Sequence, residues 1–388
     1  MKREEVELLC RADIREAVER NLGRDPVAVA LDKHTANAAL VATQVKYLQR
    51  ARRKLPSFFG ARCIIPSLAF EQSSGEECAL RKGIGGRSAV DLTCGLGSDS
   101  YALSKCFPRV VAVERDDVLA AVASENFRRL GADNIDVVCC SAEDFVRTTD
   151  ERFDWCFADP DRRGADGSKR VLAEDCSPDM VELVPVILNR GVARRILIKM
   201  SPMFDVEEAF RVFGRFGRCS VEVVSQGDEC KEVLVRIDDA APERISAVAV
   251  GKGEFSVLKS DMAVAAAAEG GFADARFLII PDVALQKSRL VRRYFAGMAC
   301  AYSENGFAFA NERPPEGVLG RVFEIDRIER YEPRRLRREL KGVRAEMILR
   351  DVPLTTARIM QATGLREGGD LRMAFTTIGG EIWAIRLK

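Results

Sequence analysis

The stretch AVDLTCGLGSDSYAL, residues 89–103, decides the reading of this chain. It passes from an apolar strand through a glycine turn into a helix. Gly95 can take the positive φ of a tight strand-to-helix turn, Gly97 lets a ligand approach the backbone, and Ser98 or Asp99 begins the next helix. A G-x-G turn alone is a weak signal. Three acids around it strengthen it: Asp91 at the strand end four residues before Gly95, Glu114 closing the second apolar run nineteen residues after it, and Asp159 closing the fourth.

Outward from the turn, short apolar runs alternate with amphipathic helical patterns. The runs are SAVDL (88–92), RVVAVE (109–114), IDVVC (135–139), FDWCFA (153–158) and RILIKM (195–200). Between the second and third, Leu119, Val122, Ala123, Asn126, Phe127 and Leu130 repeat at helical spacing and stop at Gly131. Continuous apolar strands alternating with helices predict a parallel sheet covered on both faces. CSVEVVS (219–225) and EVLVRI (232–237) lie too close for a crossover helix, so the last two strands form an antiparallel hairpin. Asp205 and Glu208 read as a D-x-x-E capping box for the helix 206–213 before it.

Four segments follow from this. Residues 1–75 are a helical front piece: Val6, Leu9, Ile14, Ala17 and Val18 share one face, Gly23 and Pro26 supply a stop, and a second helix runs from a Thr35 cap to Lys54. Residues 76–239 carry the sheet. Residues 240–320 hold a hairpin at 248–257, the strand FLIIP and a helix from Leu285 to Met298, after a boundary near Asp239–Pro242. Residues 321–388 make a small α/β unit with a basic helix, RRLRREL, and a final hairpin through Gly379 and Gly380.

Bulk composition narrows the chemistry. Net charge is +1, so any nucleic-acid claim rests on local patches. The twelve cysteines are scattered, with no C-x-x-C pair for zinc, and read as reduced thiols; no metal is implied. The amino terminus is charged throughout and no run of about 18 apolar residues occurs, which points to a cytoplasmic protein. His34 is the sole histidine and its place near a helix start favours a structural role, which speaks against histidine acid–base chemistry and a Ser-His-Asp triad.

Glu114 stands where a strand-end carboxylate accepts from both ribose hydroxyls of an adenosine. A dinucleotide would want a third glycine where this chain has Ser100. S-adenosylmethionine carries no phosphate, and Asp91 with the backbone of the turn would serve its ammonium and carboxylate.

Residues 89–103 resemble motif I of the class I S-adenosylmethionine-dependent methyltransferases, and the similarity covers residues 86–238. The resemblance implies an α/β Rossmann-like sheet of seven strands whose last hairpin is antiparallel. It implies a cofactor set of Asp91, Cys94, Gly95, Gly97, Asp99, Glu114, Arg115 and Asp159, with Ser141 and Ala142 beside the adenine. Gln72 and Ser73 precede motif I, where several such enzymes hold the methionine carboxylate. KLPSFFGARCIIPSLAFEQSSGEECALRKG, KMSPMFD, GDECKEVL and GRVFEIDRI, in that order, resemble the bacterial methyltransferases that end in a THUMP-like domain. THUMP domains are associated with RNA-modifying enzymes, so the resemblance implies an RNA partner, tRNA or rRNA, with the protein a monomer or weak dimer.

Asp159 and Pro160, in FADPDRRG (157–164), fall outside the carboxyl end of the fourth strand, where ligands of such sheets sit. Amino-methylating enzymes show D/N-P-P and then an aromatic; here Asp161 and Arg162 take those two places. Enzymes that methylate uridine carbon 5 share D-P-x-R-x-G but need a cysteine nucleophile, and Lys199, Met200, Ser201 and Pro202 supply none. Cys230 is the thiol left over, and reads better as a packed side chain. The reading favours transfer to nitrogen, with Asp159, Pro160, Arg162, Lys199 and Glu229 as the catalytic candidates. Arg52, Arg53 and Lys54 in the front piece, and Arg334, Arg335, Arg337, Arg338 and Lys341 in the basic helix, are the RNA-binding candidates. A non-catalytic RNA-binding protein and a methyltransferase of another substrate remain open alternatives.

Overall fold

In the computed structural model, the chain is described over residues 1–162, 173–263, 272–296, 298, 300–302 and 306–388. It divides into two compact units: Met1–Val221 with Val233–Pro242, and Glu222–Glu232 with Glu243–Lys388.

The first sheet holds β1 (Ser88–Asp91), β2 (Arg109–Glu114), β3 (Ile135–Cys139), β4 (Trp155–Ala158), β5 (Ile196–Met200), β6 (Cys219–Gln226) and β7 (Glu229–Ile237), the last two divided between the units. Their order is β6-β7-β5-β4-β1-β2-β3, and the sheet has nine strands rather than the seven expected, because the hairpin of Arg244–Ala249 and Gly253–Leu258 continues it beyond β6. β1 pairs in parallel with β2 and β4, β4 with β5, and β2 with β3. β7 runs against β5, with Ile196 opposite Ile237 and Met200 opposite Val233. β4 is buried throughout, whereas β3 at the edge is half exposed, as a strand covered on one side must be. The strand order reverses between β1 and β4, and at that crevice the carboxyl ends of both strands open towards a ligand.

The helices around this sheet follow the sequence pattern with three differences. The amino-terminal helix is two helices, Arg3–Cys10 and Ala12–Asn21, because Arg11 adopts an extended ψ of 143° between them. All five expected apolar positions are buried nonetheless. Pro26 begins a helix rather than ending one: Pro26–Ala30 takes it at the first position, where no amide is missed, and Asp25 caps it. The long helix is Ala38–Lys54, entered from Asn37 with φ 52°, so Thr35 is not its cap. Asp205 does cap Val206–Phe213, accepting from the amides of Glu207 and Glu208.

In the second unit, β8 (Arg244–Ala249) and β9 (Gly253–Leu258) form the expected hairpin. A second sheet holds β10 (Phe277–Pro281), β11 (Cys300–Tyr302), β12 (Ala308–Ala310), β13 (Gly320–Arg330), β14 (Arg344–Leu349), β15 (Leu371–Ile378) and β16 (Glu381–Leu387). Its order is β11-β12-β10-β13-β16-β15-β14, with the two-residue strand Arg366–Glu367 beside β14 as the eighth. The single helix expected over Leu285–Met298 is two, Val283–Lys287 and Val291–Ala296, broken where Arg289 turns to φ 59°. The basic helix is Pro333–Leu340; Leu336 and Leu340, one turn apart, sink into a core with Ala345, Ile359 and Phe375. No helix among the described residues is long and apolar enough to cross a membrane.

Candidate active site

The turn after β1 is built as its glycines require. Gly95 has φ 54° and Gly97 has φ 92°, both in the region that side chains resist. A Cβ on Gly97 would stand 2.6 Å from the ring of Phe127, so only glycine lets the turn close on the helix Asp117–Leu130. Glu114 ties the same turn from the other side. Its carboxylate accepts from the Gly95 amide (2.7 Å) and from the Asp116 amide (2.9 Å). A carboxylate has about four acceptor positions, so these two bonds do not exhaust it.

Asp91 lies deeper than the sequence suggests. It is fully buried and accepts from the Thr93 amide (2.9 Å) and the Ser100 hydroxyl (2.5 Å), so it pins the turn to the first residues of the helix. Burial pushes its carboxyl up to about 7, against the lowering effect of those hydrogen bonds. Burial likewise pushes the Cys94 thiol well up, with the Asp91 charge adding to it.

Over the turn lies a cavity of about 290 Å³. Of the expected cofactor residues, Gln72, Ser73, Cys94, Gly95, Asp99, Glu114, Arg115, Ala142 and Asp159 line it. Asp91, Gly97 and Ser141 stand behind the wall: Ser141 caps the helix Ala142–Thr148 and donates to Asp144 (2.7 Å). Glu143 reaches the cavity in its place. Arg115 donates to the Ser177 hydroxyl (3.0 Å), another wall residue.

Among the described residues the wall carries six carboxylates, on Asp99, Glu114, Asp116, Glu143, Asp159 and Asp161, and the guanidinium of Arg115. Two lysines behind it balance part of this charge. Lys82 meets Asp99 at 2.5 Å with the two side chains 3% and 9% exposed, and Ser74 donates to the other Asp99 oxygen at 2.8 Å. Burial would raise the Asp99 pKa; Lys82, Lys199 and Ser74 outweigh it and hold the carboxyl below its usual range. Lys199, at the end of β5, forms an ion pair with Asp159, whose amide in turn donates to the Thr93 hydroxyl (2.7 Å). Burial raises the Asp159 pKa and the Lys199 ammonium opposes that only in part. The excess of negative charge suits a cationic ligand and repels a pyrophosphate. A sulfonium with an ammonium group fits it; a dinucleotide does not.

The other catalytic candidates fare differently. Pro160 is half-buried beside Asp159. Arg162 pairs by its backbone with Cys176, and its side chain lies outside the described residues, as does Gly164. Glu229 belongs to the second unit, exposed and paired with Lys231 at 2.7 Å. Lys82 and Glu143 went unsingled in the sequence. Lys82 follows the helix Glu76–Leu80 in an R-K-G stretch that reads as an ordinary helix end.

The basic candidates are partly spoken for. Lys54 donates to the carbonyls of Phe70 (2.5 Å) and Glu71 (3.3 Å), while Arg52 and Arg53 are exposed. Arg335 is held by Glu329 (3.2 Å) and Glu339 (3.3 Å), and Arg337 donates to the Gln361 carbonyl (3.2 Å). Arg334, Arg338 and Lys341 are exposed.

Comparison with known proteins adds three findings. Residues 320–388 match the family model "THUMP domain-like". An uncharacterised S-adenosylmethionine-dependent methyltransferase of Mycobacterium tuberculosis is 26% identical over 322 residues, 80% of this chain and 84% of that one. A tRNA/tmRNA (uracil-C(5))-methyltransferase of Aliivibrio salmonicida is 31% identical over 147 residues, covering 31% of this chain and 40% of that one. Among solved structures, one assigned as a methyltransferase from Porphyromonas gingivalis W83 superposes with a TM-score of 0.81 at 24% identity, over 97% of this chain and 96% of that one.

Proposed function

We propose that this chain, an S-adenosylmethionine-dependent methyltransferase of the class I fold that ends in a THUMP-like domain, methylates a nucleobase nitrogen in tRNA or rRNA. The observation that carries the reading is the Asp159–Lys199 pair, whose carboxylate lines the carboxylate-rich cavity beyond β4.

S-adenosylmethionine supplies a methyl group made electrophilic by its sulfonium. Glu114 is assigned to the ribose hydroxyls and Glu143 to the adenine amine. Gln72, Ser73 and the Cys94–Gly95 backbone are assigned to the methionine end, with Asp99 drawing the ammonium; the roles of Glu143 and Asp99 are new, the others carry over the sequence reading, and all line one cavity. Asp159 faces the substrate side and takes the proton that nitrogen loses. A positioned carboxylate of raised pKa contributes about 10²–10⁴-fold to such a step.

Nitrogen is favoured over carbon because methylation at carbon 5 needs a thiolate that adds to the ring. At the end of β5 and just beyond it the chain offers Lys199, Met200, Ser201 and Pro202. The Cys94 thiol on the cavity wall is held protonated, and burial also raises the thiol of Cys230. RNA as acceptor is supported by the THUMP-like segment and by the RNA methyltransferase that resembles about a third of the chain. The exposed Arg334, Arg338 and Lys341 are suited to phosphate.

The test is transfer of tritiated methyl groups from S-adenosylmethionine to total tRNA and rRNA from cells that lack the gene. Label should enter RNA with the wild-type protein and be lost with Asp159→Ala. Label entering protein or small molecules instead would overturn the RNA assignment.

A further inference from the structure

The charge beside Asp159 narrows the kind of nitrogen that can be methylated, given the RNA-methylating reading above. Lys199 reaches Asp159 from β5 with its side chain 12% exposed, while the Asp159 side chain keeps 30% of its surface at the cavity. The ammonium therefore sits next to the point where the acceptor nitrogen must meet its base. A fixed cation there disfavours any transition state that gathers positive charge on the acceptor and favours one that gathers negative charge.

Nucleobase nitrogens divide on this point. An exocyclic amine, as in adenine or cytosine, attacks while neutral and becomes cationic as its bond to carbon forms. A lactam nitrogen, an N–H beside a carbonyl, gives up its proton and attacks as an anion whose charge rests largely on the carbonyl oxygen. The loop sequence departs from the amine-methylating pattern, whose second proline and aromatic are replaced by Asp161 and Arg162.

We propose that the acceptor is a lactam N–H of a nucleobase, guanine N1 or uracil N3, with Asp159 as the base and Lys199 as the donor to the adjacent carbonyl oxygen. An ammonium has three N–H donors and can serve a carboxylate and a carbonyl together. The ring N–H bond breaks and its proton passes to Asp159. The nitrogen lone pair forms the new bond to the methyl carbon, and the carbon–sulfur bond breaks with its electron pair left on sulfur, which becomes a neutral thioether. Asp159 then returns the proton to water and the ion pair with Lys199 is restored. Lys199 is thus a catalytic residue rather than a lysine that snorkels out of the sheet.

The experiment uses the full chain, S-adenosylmethionine and RNA from cells lacking the gene, with the RNA digested to nucleosides and resolved by mass spectrometry. The expected product is 1-methylguanosine or 3-methyluridine, and the two arms are separated by mass and retention. A gain of N6-methyladenosine, N4-methylcytidine, N2-methylguanosine or 5-methyluridine would overturn the lactam assignment and leave RNA methylation standing. No methylated nucleoside in any RNA would overturn both. A second arm follows the pH dependence of kcat/KM in Lys199→Met and Lys199→Arg. Among the described residues the charged groups bearing on Asp159 include Lys199, Asp99 and Lys82, with Asp91 behind the turn. Removing the Lys199 charge raises the pKa of the base, so in Lys199→Met the acid limb should move to higher pH and kcat fall about 100-fold. Lys199→Arg should keep the limb in place. Cofactor affinity measured by calorimetry should change by less than about threefold in either variant, since only a transition-state interaction is lost. An unshifted acid limb in Lys199→Met would overturn the role given to Lys199.

Discussion

Lys82 in the first unit and Arg335 in the second each hold a carboxylate, yet the two pairs differ in kind. Lys82 and Asp99 meet at 2.5 Å with 3% and 9% of their side chains exposed. Arg335 and Glu339 meet at 3.3 Å with 41% and 39% exposed, one helical turn apart. In water the second pair gains little, because solvent and salt screen it. The first has lost most of its hydration, and replacing such a pair by apolar side chains is often neutral or stabilising. Its presence is therefore poorly explained by stability. What it does is hold Asp99 ionised on the cavity wall. The same distinction separates the exposed arginines of the THUMP-like segment from the lysines paired behind that wall.

The largest test of that contrast is Lys82→Met. It leaves the Asp99 charge buried without its partner and should cost about 3–5 kcal/mol in urea unfolding. A loss below about 1 kcal/mol would make the buried pair equivalent to the surface one and erase the distinction.

Next comes the pH response of Asp91. Its carboxyl is raised to about 7 in the folded chain from an ordinary 3.8, so between those values the folded state holds a proton that the unfolded state has released. This contribution to stability is present at low pH, falls by up to about 1.4 kcal/mol per pH unit as pH rises towards 7, and is constant above it. Asp91→Asn should flatten that slope in thermal unfolding between pH 5 and pH 7. An unchanged slope would place the titrating group elsewhere.

The smallest effects belong to the surface. Arg335→Ala should shift stability by less than about 1 kcal/mol. Arg334→Gln and Arg338→Gln should leave stability alone and weaken RNA binding across sequences, each lowering the salt slope by about 1. Equal RNA affinity in both variants would remove this helix from the interface.

The sheet was legible because its signals are local. Apolar runs of four to six residues, the paired glycines and the capping Asp205 each act within a few positions. The strand-end acids Glu114 and Asp159 were legible for the same reason, as a parallel sheet brings its carboxyl ends to one edge. The helix breaks at Arg11 and Arg289 were not, since neither involves glycine or proline and both depend on what the chain packs against. Lys82 was hidden by distance. It lies seventeen residues before Asp99, and nothing in R-K-G tells a lysine that ends a helix in water from one that turns inward to a buried carboxylate. Asp91 was located but its burial was not, because a strand-end acid reads as facing the ligand until Ser100 and Thr93 are seen to close over it.

The account rests most on Asp159 acting in the chemistry rather than only lining the cofactor cavity. The direct measurement is kcat for methyl transfer to RNA at saturating S-adenosylmethionine, wild type against Asp159→Ala. A fall of about 1,000-fold is predicted, within the range a general base supplies. A kcat within about tenfold of wild type, with the loss confined to cofactor KM, would contradict it.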